Sequence, residues 1–107
     1  MEKLTLDAFP ECVVQAQMPV VILFSGGAAC ASARQMAADL EAEFGGGVLF
    51  YEVVQGEQLA LAQAFGLWGD SAFLLYSAGA PVAASPAAAG FTQNAAWLRQ
   101  HLAEMVK

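Results

Sequence analysis

The chemistry this chain could support centres on a thiol. Cys30 stands at the head of a stretch of helix-forming residues that runs from Ala31 to Phe44. A thiol at a helix N-terminus meets the positive end of the helix dipole and unpaired N–H groups, and both favour the nucleophilic thiolate. A free cysteine is also often a small apolar residue packed under a loop, so Cys30 has two readings. Cys12, the other cysteine, falls in a separate predicted helix and reads as packing rather than as a partner for Cys30. Two cysteines are too few for a disulfide framework, and neither stands at a metal-ligand spacing from the single His101. No metal or other cofactor is expected. His101 reads as a packing residue on the inner edge of the last helix.

These groups must be held by a small scaffold. The 107 residues leave room for one core, so a single domain over 1–107 is expected. Hydrophobic residues make up 58% of the chain and charged ones 13%, which excludes disorder and suggests a densely buried sheet. Lys3, Arg34, Arg99 and Lys107 are the only fixed cations against a net charge of −6. Nucleic acid and anionic membrane are therefore not expected partners. No apolar run reaches the ~18 residues needed to span a bilayer, and Met1–Asp7 lacks the pattern of a signal peptide. A cytoplasmic location is the expectation.

Hydrophobic periodicity sets out the elements. Leu4–Phe9 reads as a short strand or extended segment, with Asp7 placed to cap a short helix through Gln17. Val20–Phe24 is continuously apolar, as a strand covered on both faces would be. Met36, Leu40 and Phe44 form one stripe of a helix over 31–44 that the glycines at 45–47 stop. A second buried strand is expected over 48–54, then a short helix over 57–65 with Leu59, Ala62 and Phe65 inward, ended by Gly66. Ala72–Tyr76 is a third strong strand, and Ser77–Pro81 turns a hairpin into a weaker strand near 82–84. A last helix runs from Thr92, its N-cap, to Met105, with Trp97, Leu98, His101 and Leu102 inward and Phe91 also in the core.

This β-α-β-α-β-α-β-β-α order, with its punctuation, resembles the thioredoxin family over nearly the whole chain. The resemblance is carried by Leu4-Thr5 leading to Phe9, Pro19–Phe24, a cysteine at the next helix, Leu59–Leu67, Phe73–Tyr76 followed by Gly79, and Gly90 before the final helix. It implies an α/β thioredoxin-like fold, a central mixed sheet flanked by helices on both faces. The family's activity needs two cysteines two residues apart, one to attack a disulfide and one to resolve the mixed disulfide. Aligned on the downstream helix, Cys30 takes the attacking position and Ala33 the resolving one; aligned from Phe24, the two fall on Ala29 and Ser32. Neither register supplies the pair. The family's tryptophan falls on Ala28 or Ala29, its buried aspartate on Leu23, the accompanying lysine on Glu52, and its cis-proline on Ser71, preceded by Asp70.

The resemblance thus implies a protein-binding or accessory, chaperone-like module rather than a disulfide oxidoreductase. Its contact face would comprise Ala28, Ala29, Cys30, Trp68, Asp70, Ser71 and Gly90, holding a protein or extended polypeptide, with Trp68 as anchor. The alternative is a monothiol redox protein using Cys30 for mixed disulfides; an acid at Asp70 beside it would oppose thiolate formation. A monomer or weak homodimer is expected. A trans peptide is expected at Asp70–Ser71, since a non-proline cis bond costs roughly 2.5–4 kcal/mol. The interval from Gly79 to Gly90 is longer than the family's, so a bulge or widened turn around Pro86 is expected on the edge strand.

Overall fold

The computed structural model describes residues 1–27, 30–66, 71–86 and 91–105; of these, Cys30, Ser85, Pro86, 91–95 and Met105 are described by backbone alone. Five strands form one sheet: β1 (Glu2–Lys3), β2 (Val20–Ser25), β3 (Leu49–Val54), β4 (Ala72–Ser77) and β5 (Ala80–Pro86). Their spatial order is β1-β3-β2-β4-β5. The first three run parallel, while β4 lies antiparallel to β2 and β5 antiparallel to β4. Three helices, α1 (Cys30–Phe44), α2 (Leu59–Ala64) and α3 (Phe91–Met105), complete an α/β architecture. Among the described residues no helix is long and apolar enough to cross a membrane.

β2 is central because both of its faces are apolar. Val21 and Leu23 pack with Phe50, Phe73 and Leu75 against Ala33, Met36, Ala37 and Leu40 of α1 and Leu98 and Leu102 of α3. Val20, Ile22 and Phe24 face the other way, onto Phe9, Val13, Leu61, Ala62 and Val53. Burying each of these large side chains is worth about 1.5–3 kcal/mol. Helices therefore cover both faces: α1 and α3 on one, α2 and the turn at 10–14 on the other. Phe65 knits that second layer, with its ring 5.6 Å from Phe9, 5.9 Å from Phe24 and 6.1 Å from Tyr76. α1 stops where expected, at Gly45, whose Cβ would lie 2.5 Å from the Glu41 carbonyl oxygen.

Several expectations are corrected. The first strand is Glu2–Lys3, ahead of Leu4–Phe9, because the chain turns at Leu6–Ala8 between the two core residues Leu4 and Phe9. Asp7 caps no helix: the chain instead makes one wide turn, Pro10–Val14, closed by Gln15 N–H on the Pro10 carbonyl at 2.9 Å. α2 is shorter than 57–65; Ala62 is inward and Phe65 packs on the core as expected, but Leu61 rather than Leu59 joins them, leaving Leu59 42% exposed. α3 begins at Phe91, one residue before Thr92. Trp97 and His101 are half-buried at the margin of the core rather than inside it. β5 spans Ala80–Pro86 rather than 82–84 and carries a bulge opposite Leu75/Tyr76, while the chain from 87 to Gly90, where a widened turn after Pro86 would fall, lies outside the described residues.

Candidate functional site

An apolar core of this kind tolerates few polar side chains, so where they cluster is informative. Among the described residues the buried polar ones are Ser25, Glu52, Gln55 and Ser71. All four lie at one end of the sheet. Ser25 closes β2, Glu52 and Gln55 stand near and just past the end of β3, and Ser71 immediately precedes β4. The backbone of α1 starts at this same end, at Cys30.

Glu52 is the centre of the cluster. Its Oε2 accepts a hydrogen bond from the Ser25 hydroxyl at 2.6 Å and another from Arg34 Nε at 2.7 Å. Burial pushes this carboxyl up, but the Ser25 hydroxyl and the Arg34 guanidinium, helped by Lys3, outweigh it and hold the group below its ordinary value of 4.5. The Glu52 side chain is 10% exposed and that of Arg34 46%, so the pair spans the boundary between core and solvent. Arg34 stands one helical turn after Cys30, and the ion pair consequently fixes the first turns of α1 to β3.

The exit of β2 is held from two more sides. Gln55 donates its backbone N–H to the Ser25 carbonyl at 3.1 Å and its Nε2 to the Phe24 carbonyl at 3.1 Å. The Ser71 hydroxyl donates to the Gly26 carbonyl at 2.7 Å and accepts from the Gly26 N–H at 3.0 Å. With both partners on one glycine, Ser71 acts as a clasp between the segment leaving β2 and the segment entering β4. Among the described residues no buried side-chain polar atom is left without a partner.

Of the expected contact residues, Ala28, Ala29, Trp68, Asp70 and Gly90 lie outside the described residues, as does the Asp70–Ser71 peptide. Cys30 is placed by its backbone at the start of α1. Ser71 is wholly buried, so its contribution to this end of the molecule is the position of a loop rather than a surface contact. The clasp joins the chain leaving β2 at Gly26 to the chain entering β4 at Ser71. Ala33 is 2% exposed and packed in the core, whereas Ser32 is exposed. Cys12 is a free thiol packed with the opposite layer, beside Tyr51. Burial first, then the neighbouring Cys12 thiol, raise the Tyr51 phenol above its ordinary value. His101 lies against Trp97 with ring centroids 4.6 Å apart and planes tilted by 50°.

Sequence reasoning passed over the Glu52–Arg34–Ser25 cluster. The signal for it was a lone acid in an otherwise apolar strand, which needs a donor from somewhere when buried. A cavity of 260 Å³ opens at the other end of the sheet, near Met1, Glu41 and Gly45, where the terminal amine pairs with Glu41 at 3.1 Å. It shares no residue with the polar cluster. Compared with known proteins, the chain matches no family model and no curated protein.

Proposed function

We propose that this chain is a thioredoxin-like binding module that receives an extended segment of a partner protein at the loops preceding α1 and β4, without thiol turnover. The strand order β1-β3-β2-β4-β5, with β4 and β5 reversed and helices on both faces, supports the family reading. So does the register pairing of Leu23 with Glu52, the two positions at which the resemblance expects an acid and a base.

The observation that carries the functional reading is that the polar groups under this face are already committed to one another. Glu52 is engaged by Ser25 and Arg34, and Ser71 by the Gly26 backbone. Ala33, one turn after Cys30, brings a methyl group into the core instead of a resolving thiol. Attack by Cys30 on a disulfide would release one thiolate and leave a mixed disulfide that nothing on α1 could resolve. A firmly tied platform without a second thiol suits non-covalent holding of a polypeptide better than electron transfer.

Insulin reduction by dithiothreitol tests this. The wild-type chain should leave the rate of the dithiol alone unchanged, and Cys30→Ser should be indistinguishable from it. Acceleration by the wild type that disappears in Cys30→Ser would establish the monothiol reading instead.

A further inference from the structure

α2 is a surface helix without a charge. Leu61 and Ala62 face the sheet, while Leu59, Ala60, Gln63 and Ala64 are exposed. A surface helix ordinarily turns charged and polar residues outward. The turn that follows β1 runs beside it. Leu6 donates its N–H to Gln58 Oε1 at 3.1 Å just ahead of α2, and the Phe9 ring lies 5.6 Å from that of Phe65 just past it. Leu6, 51% exposed, thus shares one surface with Leu59. Exposed acids border the two leucines. Asp7 follows Leu6, Glu11 stands in the next turn, and Glu57 precedes α2. Among the described residues Asp7 and Glu11 enter no ion pair, and Lys3, the one base of this layer, is engaged with Glu57 at 3.7 Å. Arg34 and Arg99 belong to α1 and α3, on the other face of the sheet.

We infer that this face docks a basic amphipathic segment of another protein, its apolar side chains on Leu6 and Leu59 and its lysines or arginines against Asp7 and Glu11. The acids decide the occupant. A second copy meeting this face through the same patch would set Asp7 and Glu11 against their own equivalents, and an anionic lipid surface would be repelled. A cationic segment gains at each of them. Ion pairs so exposed are worth little apiece and are screened by salt, so the leucines carry most of the affinity and the acids its salt dependence. Two leucines on so short a helix make a small anchor, which places the complex among transient ones. The face lies on the α2 side of the sheet and does not depend on the polypeptide site proposed above.

Fluorescence anisotropy of a labelled helical peptide of leucine and lysine, with its leucine and glutamate counterpart as control, tests the inference on the full chain. The wild type should bind the basic peptide, more weakly as salt is raised, and leave the acidic one unbound. Leu6→Ser combined with Leu59→Ser should raise the dissociation constant by about tenfold or more, since the burial of two leucines is lost. Asp7→Asn combined with Glu11→Gln should raise it by about threefold to tenfold at low salt. Asp39→Asn combined with Glu104→Gln removes the same charge from the other layer and should leave it unchanged. Each variant is first shown to keep its melting transition. No binding of the basic peptide, equal binding of both peptides, indifference to the Leu6/Leu59 pair, or an equal loss from the Asp39/Glu104 pair would each overturn the proposal. Self-association through Leu6 and Leu59 in place of peptide binding would overturn it in favour of a second copy.

Discussion

Glu52 and Ser71 hold the same end of the sheet by different physics, and each makes its own prediction. Because the folded carboxyl of Glu52 is held below its ordinary value of 4.5, its contribution to stability is complete above that value. The contribution is lost as pH falls through the lowered folded value. Urea midpoints for wild type and Glu52→Gln should accordingly differ by a constant amount from neutral pH to about 5.5 and draw progressively together as pH falls below 4.5. A gap that persists undiminished at pH ~3 would contradict the ion-pair account. Ser71→Ala removes both bonds to Gly26 and should cost about 1–3 kcal/mol in urea unfolding, since a buried N–H and carbonyl lose their partner together. A loss within about 0.5 kcal/mol, the range of an ordinary surface change, would mean that the clasp does not form.

The elements divide by the kind of pattern that marks them. Unbroken apolar runs mark β2 and β4 in the sequence itself, since a strand covered on both faces needs no phase to be read, and the stripe Met36, Leu40, Phe44 orients the 15-residue α1. A short helix is read by phase alone. α2 has six residues, and the period that placed Leu59 inward beside Ala62 is overridden by the packing of Leu61 under the sheet. Leu61→Ala should therefore cost about 2–5 kcal/mol, while Leu59→Ala should stay within about 0.5 kcal/mol; equal losses would restore the sequence-based face. The polar cluster was illegible for a related reason. Arg34 and Glu52 are 18 residues apart on different elements, and only the packing of α1 on the sheet makes them neighbours.

The β4–β5 hairpin was legible as a turn but not in its strain. Both central residues have positive φ, 54° at Ala78 and 81° at Gly79, as tight hairpins require. Ala78→Gly should then stabilise the chain by about 1 kcal/mol. Gly79→Ala should destabilise it, since its Cβ would sit 2.9 Å from the Val14 carbonyl oxygen. Thermal melts of the two variants should move in opposite directions.

At the scale of the whole molecule, one apolar sheet separates two helical layers. Cys12 packs with the layer of α2, while Cys30 heads α1 in the other, so the arrangement gives Cys30 no partner thiol within its own layer. The end shared by α1 and the approach to β4 is tied by the Glu52–Ser25, Glu52–Arg34 and Ser71–Gly26 bonds, and is proposed above to hold a polypeptide without covalent capture. The direct measurement uses a reduced, carboxymethylated unfolded protein as probe, since it can form no disulfide. Its affinity is compared for wild type, Cys30→Ser and Trp68→Ala, each first shown to have an unchanged melting transition. Wild type and Cys30→Ser should bind the probe equally, and Trp68→Ala should lose on the order of 2 kcal/mol or more, as loss of an anchor does. No binding by the wild type, or binding that Trp68→Ala leaves intact, would contradict the account.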